Sequence, residues 1–175
     1  MNIRKSTPKD LDILMPIFEE ARGTIAKLGI DQWQDGYPSR AVIAADIEKK
    51  ISYCVEIDGQ ICATFVLVDD GEILYDKIYD GHWLTGDESQ DYVAIHRVAV
   101  SVVRRGSGIS TAMINYAADY ANELGRASLR IDTHEGNVVM RRMLEKHEFV
   151  HCGTIYLETG EVRVAYEKLL KSEKM

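Results

Sequence analysis

The sequence predicts an α+β domain: a mixed, mostly antiparallel sheet of about seven strands with four helices. Three observations lead there. Apolar runs flank Asp58-Gly59, and others flank Thr159-Gly160, which are hairpin signals. Alternation over Tyr92–Val100 gives way to glycines and then to a helical pattern, the mark of a strand–helix–strand unit. The chain has 175 residues, 46% hydrophobic and 28% charged, which suits one domain with a real core. Hairpins combined with strand–helix–strand units require a mixed sheet.

Residues 3–6 read as a first strand. Thr7 caps the helix that follows, Pro8 fits its first turn, and Asp10 suits its positive end. Leu11, Leu14, Met15 and Phe18 then share one face. Ser39 caps a second helix with Val42, Ile43 and Ile47 as its buried stripe. Ser52–Ile57 and Gln60–Val68 form the first hairpin. Residues 69–90, rich in Asp, Gly and Tyr, are the least regular stretch. After Tyr92–Val100, a third helix carries Ile109, Ala112, Met113, Tyr116, Ala117, Tyr120, Ala121 and Leu124 on one face, and Gly125 ends it. Residues 127–132 are a strand. Asn137 opens a fourth helix with Val139, Met140, Met143 and Leu144 inward. Residues 149–157 and 162–168 make the last hairpin.

A net charge of −7 argues against a nucleic-acid partner. No apolar run reaches the length of a membrane span, and the N-terminus lacks a signal-peptide core. Three scattered cysteines, Cys54, Cys62 and Cys152, have no metal-ligand spacing. The expectation is a cytoplasmic protein without a metal, without nucleic acid and without a membrane. A homodimer is kept among the expected assemblies.

Arg104-Arg105-Gly106-Ser107-Gly108-Ile109-Ser110-Thr111 is the most informative segment. Side-chain-poor residues at the mouth of a helix leave backbone N–H groups facing an anion, and the helix terminus adds partial positive charge. A phosphate or pyrophosphate is the expected ligand; the alternative is a plain strand-to-helix turn. The Lys of a nucleotide-hydrolase loop is missing. A dinucleotide fingerprint finds Gly106 and Gly108 but Thr111 at the third place, and too little chain follows for a doubly wound sheet. Asp132 does mimic the ribose-binding acid of such folds.

The third candidate is a family motif, Gln/Arg-x-x-Gly-x-Gly/Ala between the fourth strand and third helix. Here it reads Arg105-Gly106-Ser107-Gly108-Ile109-Ser110, with Ser in the last place. On this motif and the element order, the chain resembles the GNAT superfamily of acyl-CoA-dependent N-acyltransferases. The resemblance implies a three-layer α/β/α arrangement and one acyl-CoA N-acyltransferase domain over residues 1–175. It implies acetyl-CoA as cosubstrate, with the pyrophosphate on the amides of Arg105, Gly106, Ser107, Gly108, Ile109, Ser110 and Thr111. A bulged strand at Val98, Ala99 and Val100 would meet the pantetheine arm and the thioester oxygen. Asn137 matches an Asn found near the pantetheine, and is also a good helix cap. The family often places a general-acid Tyr seven residues later, where this chain has Leu144. Tyr92, Tyr116, Tyr120 and Tyr156 are the alternatives for that role.

His96 is the first candidate for a general base, two residues before Val98 on the strand that leads to the loop. The family includes a member in which a His at the matching place is implicated in proton removal. The alternative is a core His bonded to backbone. His134, just past a strand end, ranks second, and Asp132 could orient either imidazole. An amine acceptor, small molecule or peptide, would meet Trp33 and Tyr37 in one connection and Tyr75 and Trp83 in another. Those rings lie among acids, which suits a cation; the alternative is a lid whose aromatics pack on the core. The functional expectation is transfer of acetyl from acetyl-CoA to a primary amine by direct attack. A non-catalytic acyl-CoA-binding module and a nicotinamide-dinucleotide enzyme are the competing readings.

Overall fold

The computed structural model describes residues 1–170. Among them, in chain order, lie β1 (Asn2–Lys5), α1 (Leu11–Ala26), α2 (Arg40–Glu48), β2 (Ser52–Ile57), β3 (Gln60–Val68), β4 (Tyr92–Val100), α3 (Ile109–Glu123), β5 (Ser128–Thr133), α4 (Val138–Lys146), β6 (Val150–Tyr156) and β7 (Val162–Leu169). The seven strands form one sheet in the order β1-β2-β3-β4-β5-β7-β6. β4 and β5 pair in parallel, whereas β1–β2, β2–β3, β5–β7 and β6–β7 are antiparallel. A mixed, mostly antiparallel seven-stranded sheet with four helices is what the sequence predicts. By contacts the chain forms two compact units. One comprises Met1–Leu67 with His96–Met113, the other Val68–Ile95 with the described residues from Ile114 onward.

In the first unit, β2 and β3 turn through Asp58 (φ 53°) and Gly59 (φ 74°). Two left-handed residues are what a two-residue hairpin with the right twist requires. A 3₁₀ turn, Pro8–Asp10, precedes α1, so the helix begins later than the Thr7 cap suggests. The Asp10 carboxylate accepts from the Thr7 amide (2.7 Å) and hydroxyl (2.9 Å), and from two nitrogens of Arg4 (2.8 and 3.0 Å). The Arg4 hydrogen bonds, backed by Thr7, hold Asp10 down to about 2. Ser39 caps α2 by accepting from Val42 N–H at 3.3 Å. Leu14, Ile17, Phe18 and Ala21 of α1 pack with Ile43 and Ile47 of α2 against Cys54 and Ala99. Burial of each large aliphatic stabilises by about 1.5–3 kcal/mol.

In the second unit, β7 lies between β5 and β6, with registers such as Ile131↔Tyr166 and Thr154↔Val164. Val139 and Leu124 depart from their expected faces, whereas Leu144 keeps its own. Val139 is 61% exposed, whereas Leu144 is fully buried. At about 100° per residue, the face centred between Met140, Met143 and Leu144 leaves Val139 on the flank. Leu124 is also exposed, because α3 ends at Glu123.

The irregular stretch between β3 and β4 is ordered by the edge of β6. Tyr79 and Thr154 exchange backbone hydrogen bonds of 2.8 and 2.7 Å, which pairs part of an otherwise open strand edge. Gly81 comes so close that a Cβ there would lie 1.9 Å from the Cys152 carbonyl oxygen. Since that neighbour is backbone, Gly81→Ala is expected to lower stability by up to about 3 kcal/mol, the overpacking range. A thermal-unfolding midpoint within a degree of wild type would disprove this close approach. No helix among the described residues is long and apolar enough to cross a membrane.

Candidate active site

β4 carries an unusual residue at its centre. Arg97 has φ 51°, a left-handed conformation uncommon for any residue but glycine. One such residue breaks the alternation of a strand. Tyr92 to Ile95 are all buried, whereas beyond Arg97 only Ala99 is buried, with Val98 and Val100 half-buried. The Arg97 side chain is anchored on both sides. Its Nε and Nη2 donate to the Asp46 carboxylate of α2 at 2.7 and 2.9 Å. Its Nη1 donates to the Tyr37 hydroxyl at 2.6 Å. Burial alone would lower the Arg97 pKa, but the Asp46 hydrogen bonds and the neighbouring Tyr37 outweigh it and the net shift is upward. The guanidinium therefore stays charged and ties α2 and the α1–α2 connection to β4. His96, immediately before it, is half-buried.

The chain then enters the glycine loop. Ser101 N–H donates to the Cys62 carbonyl at 2.8 Å. One carboxylate oxygen of Glu20, on α1, accepts from the Ser101 hydroxyl (2.9 Å) and from Val102 N–H (2.8 Å). A short 3₁₀ turn, Val102–Arg104, follows. Arg105 donates to the Thr24 hydroxyl of α1 at 2.7 Å, so part of its guanidinium is occupied by the protein. The Ser107 hydroxyl donates to the Arg104 carbonyl.

Gly106 (φ 80°) and Gly108 (φ 79°) are exposed, and a Cβ on either would meet no atom within 4 Å. Glycine is needed at both for backbone conformation, and the space over them is open. Ala112 N–H donates to the Gly108 carbonyl at 3.1 Å, so the amides of Ile109 and Ser110 precede the first bond of the α3 ladder. The Ser107 N–H donates to the Arg104 carbonyl at 3.4 Å; the other loop amides, the helix terminus and two arginines form a candidate cradle whose chemistry fits an anion. Val98, Ala99, Val100 and Arg105 to Thr111 all belong to this strand, loop and helix start.

Trp33 and Tyr37 are brought together in the same unit. Trp33 is half-buried and meets Phe18 edge-on (6.0 Å between ring centroids) and Tyr37 at 6.3 Å. Tyr75 and Trp83 lie in the second unit and occupy its core. They are 1% and 3% exposed. The Trp83 indole N–H donates to the Tyr75 carbonyl at 3.0 Å. Rings expected to face an acceptor are therefore turned inward. The reason is a buried cation: the Arg130 guanidinium sits 4.2 Å from the Trp83 ring and 4.1 Å from the Tyr92 ring. Arg130 is paired to Glu167 at 3.0 Å.

In that second unit, Asn137 caps α4. Its side chain accepts from Met140 N–H at 3.2 Å, and the residue is 9% exposed. His134 Nδ1 accepts from Gly136 N–H at 3.0 Å, which places the proton of the neutral ring on Nε2. Asp132 accepts from the Tyr75 hydroxyl at 2.7 Å. Tyr120 donates to Asp69 at 2.6 Å, and Tyr92 exchanges hydrogen bonds with the Glu72 backbone. Leu144 is fully buried, an apolar side chain at the position where the family often has its acid.

Arg97, Asp46 and Glu20 escaped the sequence reading. A signal existed for two of them: Arg97 interrupts an apolar strand, and Asp46 interrupts the apolar stripe Ile43/Ile47. Nothing marks Glu20 among the other charges of α1.

The model of the Acetyltransferase (GNAT) family matches residues 12–149, and the chain belongs to that family. A GNAT-family acetyltransferase from Streptococcus agalactiae is 36% identical, with 98% of this chain and 96% of that one covered and a TM-score of 0.82. A GNAT-family acetyltransferase from Listeria monocytogenes shares the fold at 22% identity, with 97% and 94% covered and a TM-score of 0.70. A ribosomal-protein-alanine N-acetyltransferase from Brucella melitensis does so at 17% identity, with 97% and 100% covered and a TM-score of 0.68. No protein of curated function matches the sequence.

Proposed function

We propose that the protein transfers an acetyl group from acetyl-CoA to a primary amine by direct attack. The observation that carries this reading is the open cradle at Gly106 and Gly108 on the N-terminus of α3, at the end of the strand that bears His96. The pyrophosphate is assigned to the amides of residues 105–111, and the pantetheine arm to the backbone of Val98–Ala99–Val100. The amine nitrogen attacks the thioester carbonyl carbon, the C–S bond breaks, and coenzyme A leaves as its thiolate. An N–H of β4 aimed at the carbonyl oxygen would stabilise the developing oxyanion.

His96 is assigned the proton released by the amine. His134 is the second candidate, but its Nδ1 lone pair already serves Gly136. With Leu144 at the acid position, the thiolate departs without a fixed proton donor there. The acceptor is assigned to Trp33 and Tyr37, whose connection Arg97 holds; Tyr75 and Trp83 support their unit from the core.

Direct attack also fits the cysteines. Burial pushes Cys54 and Cys152 up to about 11 and raises Cys62 as well. Thiols so protonated are poor nucleophiles at neutral pH. The test is to incubate the protein with acetyl-CoA and a panel of primary amines and follow free thiol. Amine-dependent release supports the enzyme. Acetyl-CoA binding without release across a broad panel supports a binding module instead, and tight NAD binding without coenzyme A binding would overturn both.

Gly108→Val probes the cradle. A β-branched residue at φ near 80° costs about 1–2 kcal/mol, and its methyls project into the open space. The expected result is a rise in the acetyl-CoA Kd of at least about tenfold, that is about 1.4 kcal/mol, in a folded protein. Unchanged affinity would show that this loop does not hold the coenzyme.

A further inference from the structure

We infer that Glu20 is a positioning residue for the phosphate cradle, an assignment that rests on the coenzyme-binding reading of residues 105–111. Glu20 sits on α1, outside the motif. Its carboxylate accepts both the Ser101 hydroxyl and the Val102 amide through one oxygen. That pins the residue where β4 ends and the loop begins. One helical turn later, Thr24 receives Arg105 at 2.7 Å, just before the first glycine. The Thr24 hydroxyl in turn donates to the Glu20 carbonyl at 3.0 Å. Residues four apart share a helix face, so α1 grips the loop at two points, before and after the Val102–Arg104 turn. The segment beyond, Gly106 to Gly108, is exposed, with two residues in left-handed conformations. Such a loop loses conformational entropy when it closes on a ligand, and a clamp at its base removes part of that cost beforehand.

The sign of the effect separates this role from simple electrostatics. A carboxylate near a pyrophosphate repels it, so charge alone makes removal of Glu20 favourable to coenzyme A binding. Positioning makes removal unfavourable. Glu20→Ala favours the helix intrinsically but removes the acceptor of two hydrogen bonds. Glu20→Gln removes the charge and keeps an oxygen with two lone pairs that can accept both.

The experiment measures Kd by calorimetry for coenzyme A and for pantetheine, which has no phosphate, with wild type, Glu20→Ala, Glu20→Gln and Ser101→Ala. For coenzyme A, Glu20→Ala is expected to weaken binding about tenfold, the scale of a lost hydrogen bond to a charged group. Glu20→Gln is expected to recover most of that loss, and Ser101→Ala to weaken binding less than Glu20→Ala. The ratio of pantetheine to coenzyme A affinity is expected to move toward pantetheine in Glu20→Ala. Tighter or unchanged coenzyme A binding in Glu20→Ala overturns the proposal, as does an equal loss for both ligands. If Glu20→Ala does not fold, unchanged binding in Ser101→Ala overturns it and weakened coenzyme A binding with pantetheine spared supports it. A wild type that binds no coenzyme A refutes the underlying reading rather than the clamp.

Discussion

His96→Gln is expected to lower kcat/KM by about 10²–10⁴-fold, the usual contribution of one positioned general base. Gln keeps a hydrogen-bonding group of similar reach but cannot take a proton. The coenzyme is assigned to backbone groups of Val98–Val100 and to the loop, so the acetyl-CoA Kd should stay near wild type. The pH profile adds an independent criterion. Wild-type kcat/KM should rise with pH through one ionisation and level off, and the variant should lack that limb. Position supports the choice. His96 precedes the left-handed Arg97, whose side chain is locked by Asp46 and Tyr37, so the backbone at this place has little freedom to shift. Normal turnover with an unchanged profile would make His96 structural and move the test to His134→Gln.

Glu167→Ala is expected to destabilise the protein by about 3–5 kcal/mol, the range for breaking one side of a buried ion pair. Glu167 and Arg130 are both fully buried. The carboxylate accepts from Arg130, the Ser128 and Thr85 hydroxyls and the Leu84 amide. Removing it leaves a guanidinium between two aromatic rings with no counter-charge. The loop around Thr85, fastened to the sheet through this carboxylate, should loosen first, seen as faster amide exchange at Leu84 and Thr85. Chemical denaturation measures the loss; a change under 1 kcal/mol would contradict the assignment.

The same carboxylate gives a pH dependence. Burial raises its pKa, but hydrogen bonds from Ser128, Thr85 and Arg130 outweigh burial and the net shift is downward. A depressed carboxylate contributes stability that is full above its unfolded pKa, about 4.3. That contribution is lost as pH falls through the folded value. Asp10, held at about 2, acts in the same direction. Stability should therefore fall from about pH 4 downward, less steeply in Glu167→Ala.

What the sequence made legible was local. Asp58-Gly59, the Ser39 and Asn137 caps, and the passage from alternation to helix at the glycine loop are each decided by neighbours a few residues apart. Long-range choices left weaker marks. Tyr75 and Trp83 read equally as pocket rings or core, and the deciding partner, Arg130, lies 47 residues beyond Trp83 in the chain. Arg97 finds Asp46 across 51 positions. Val139 has the right residue type for a buried face, but a nine-residue helix has room for a narrow one. At the cradle, the glycines were visible in sequence whereas the α1 groups that hold its base were not.

The most direct measurement of acetyl transfer by direct attack is a single turnover with acetyl-labelled coenzyme A. The protein is held in excess over label, with and without a primary amine that supports thiol release, then quenched and separated. Label is expected on the amine nitrogen, with one thiol formed per acetyl moved, and the protein is expected to stay unlabelled when the amine is omitted. Label trapped on the protein before any amine is added would contradict it.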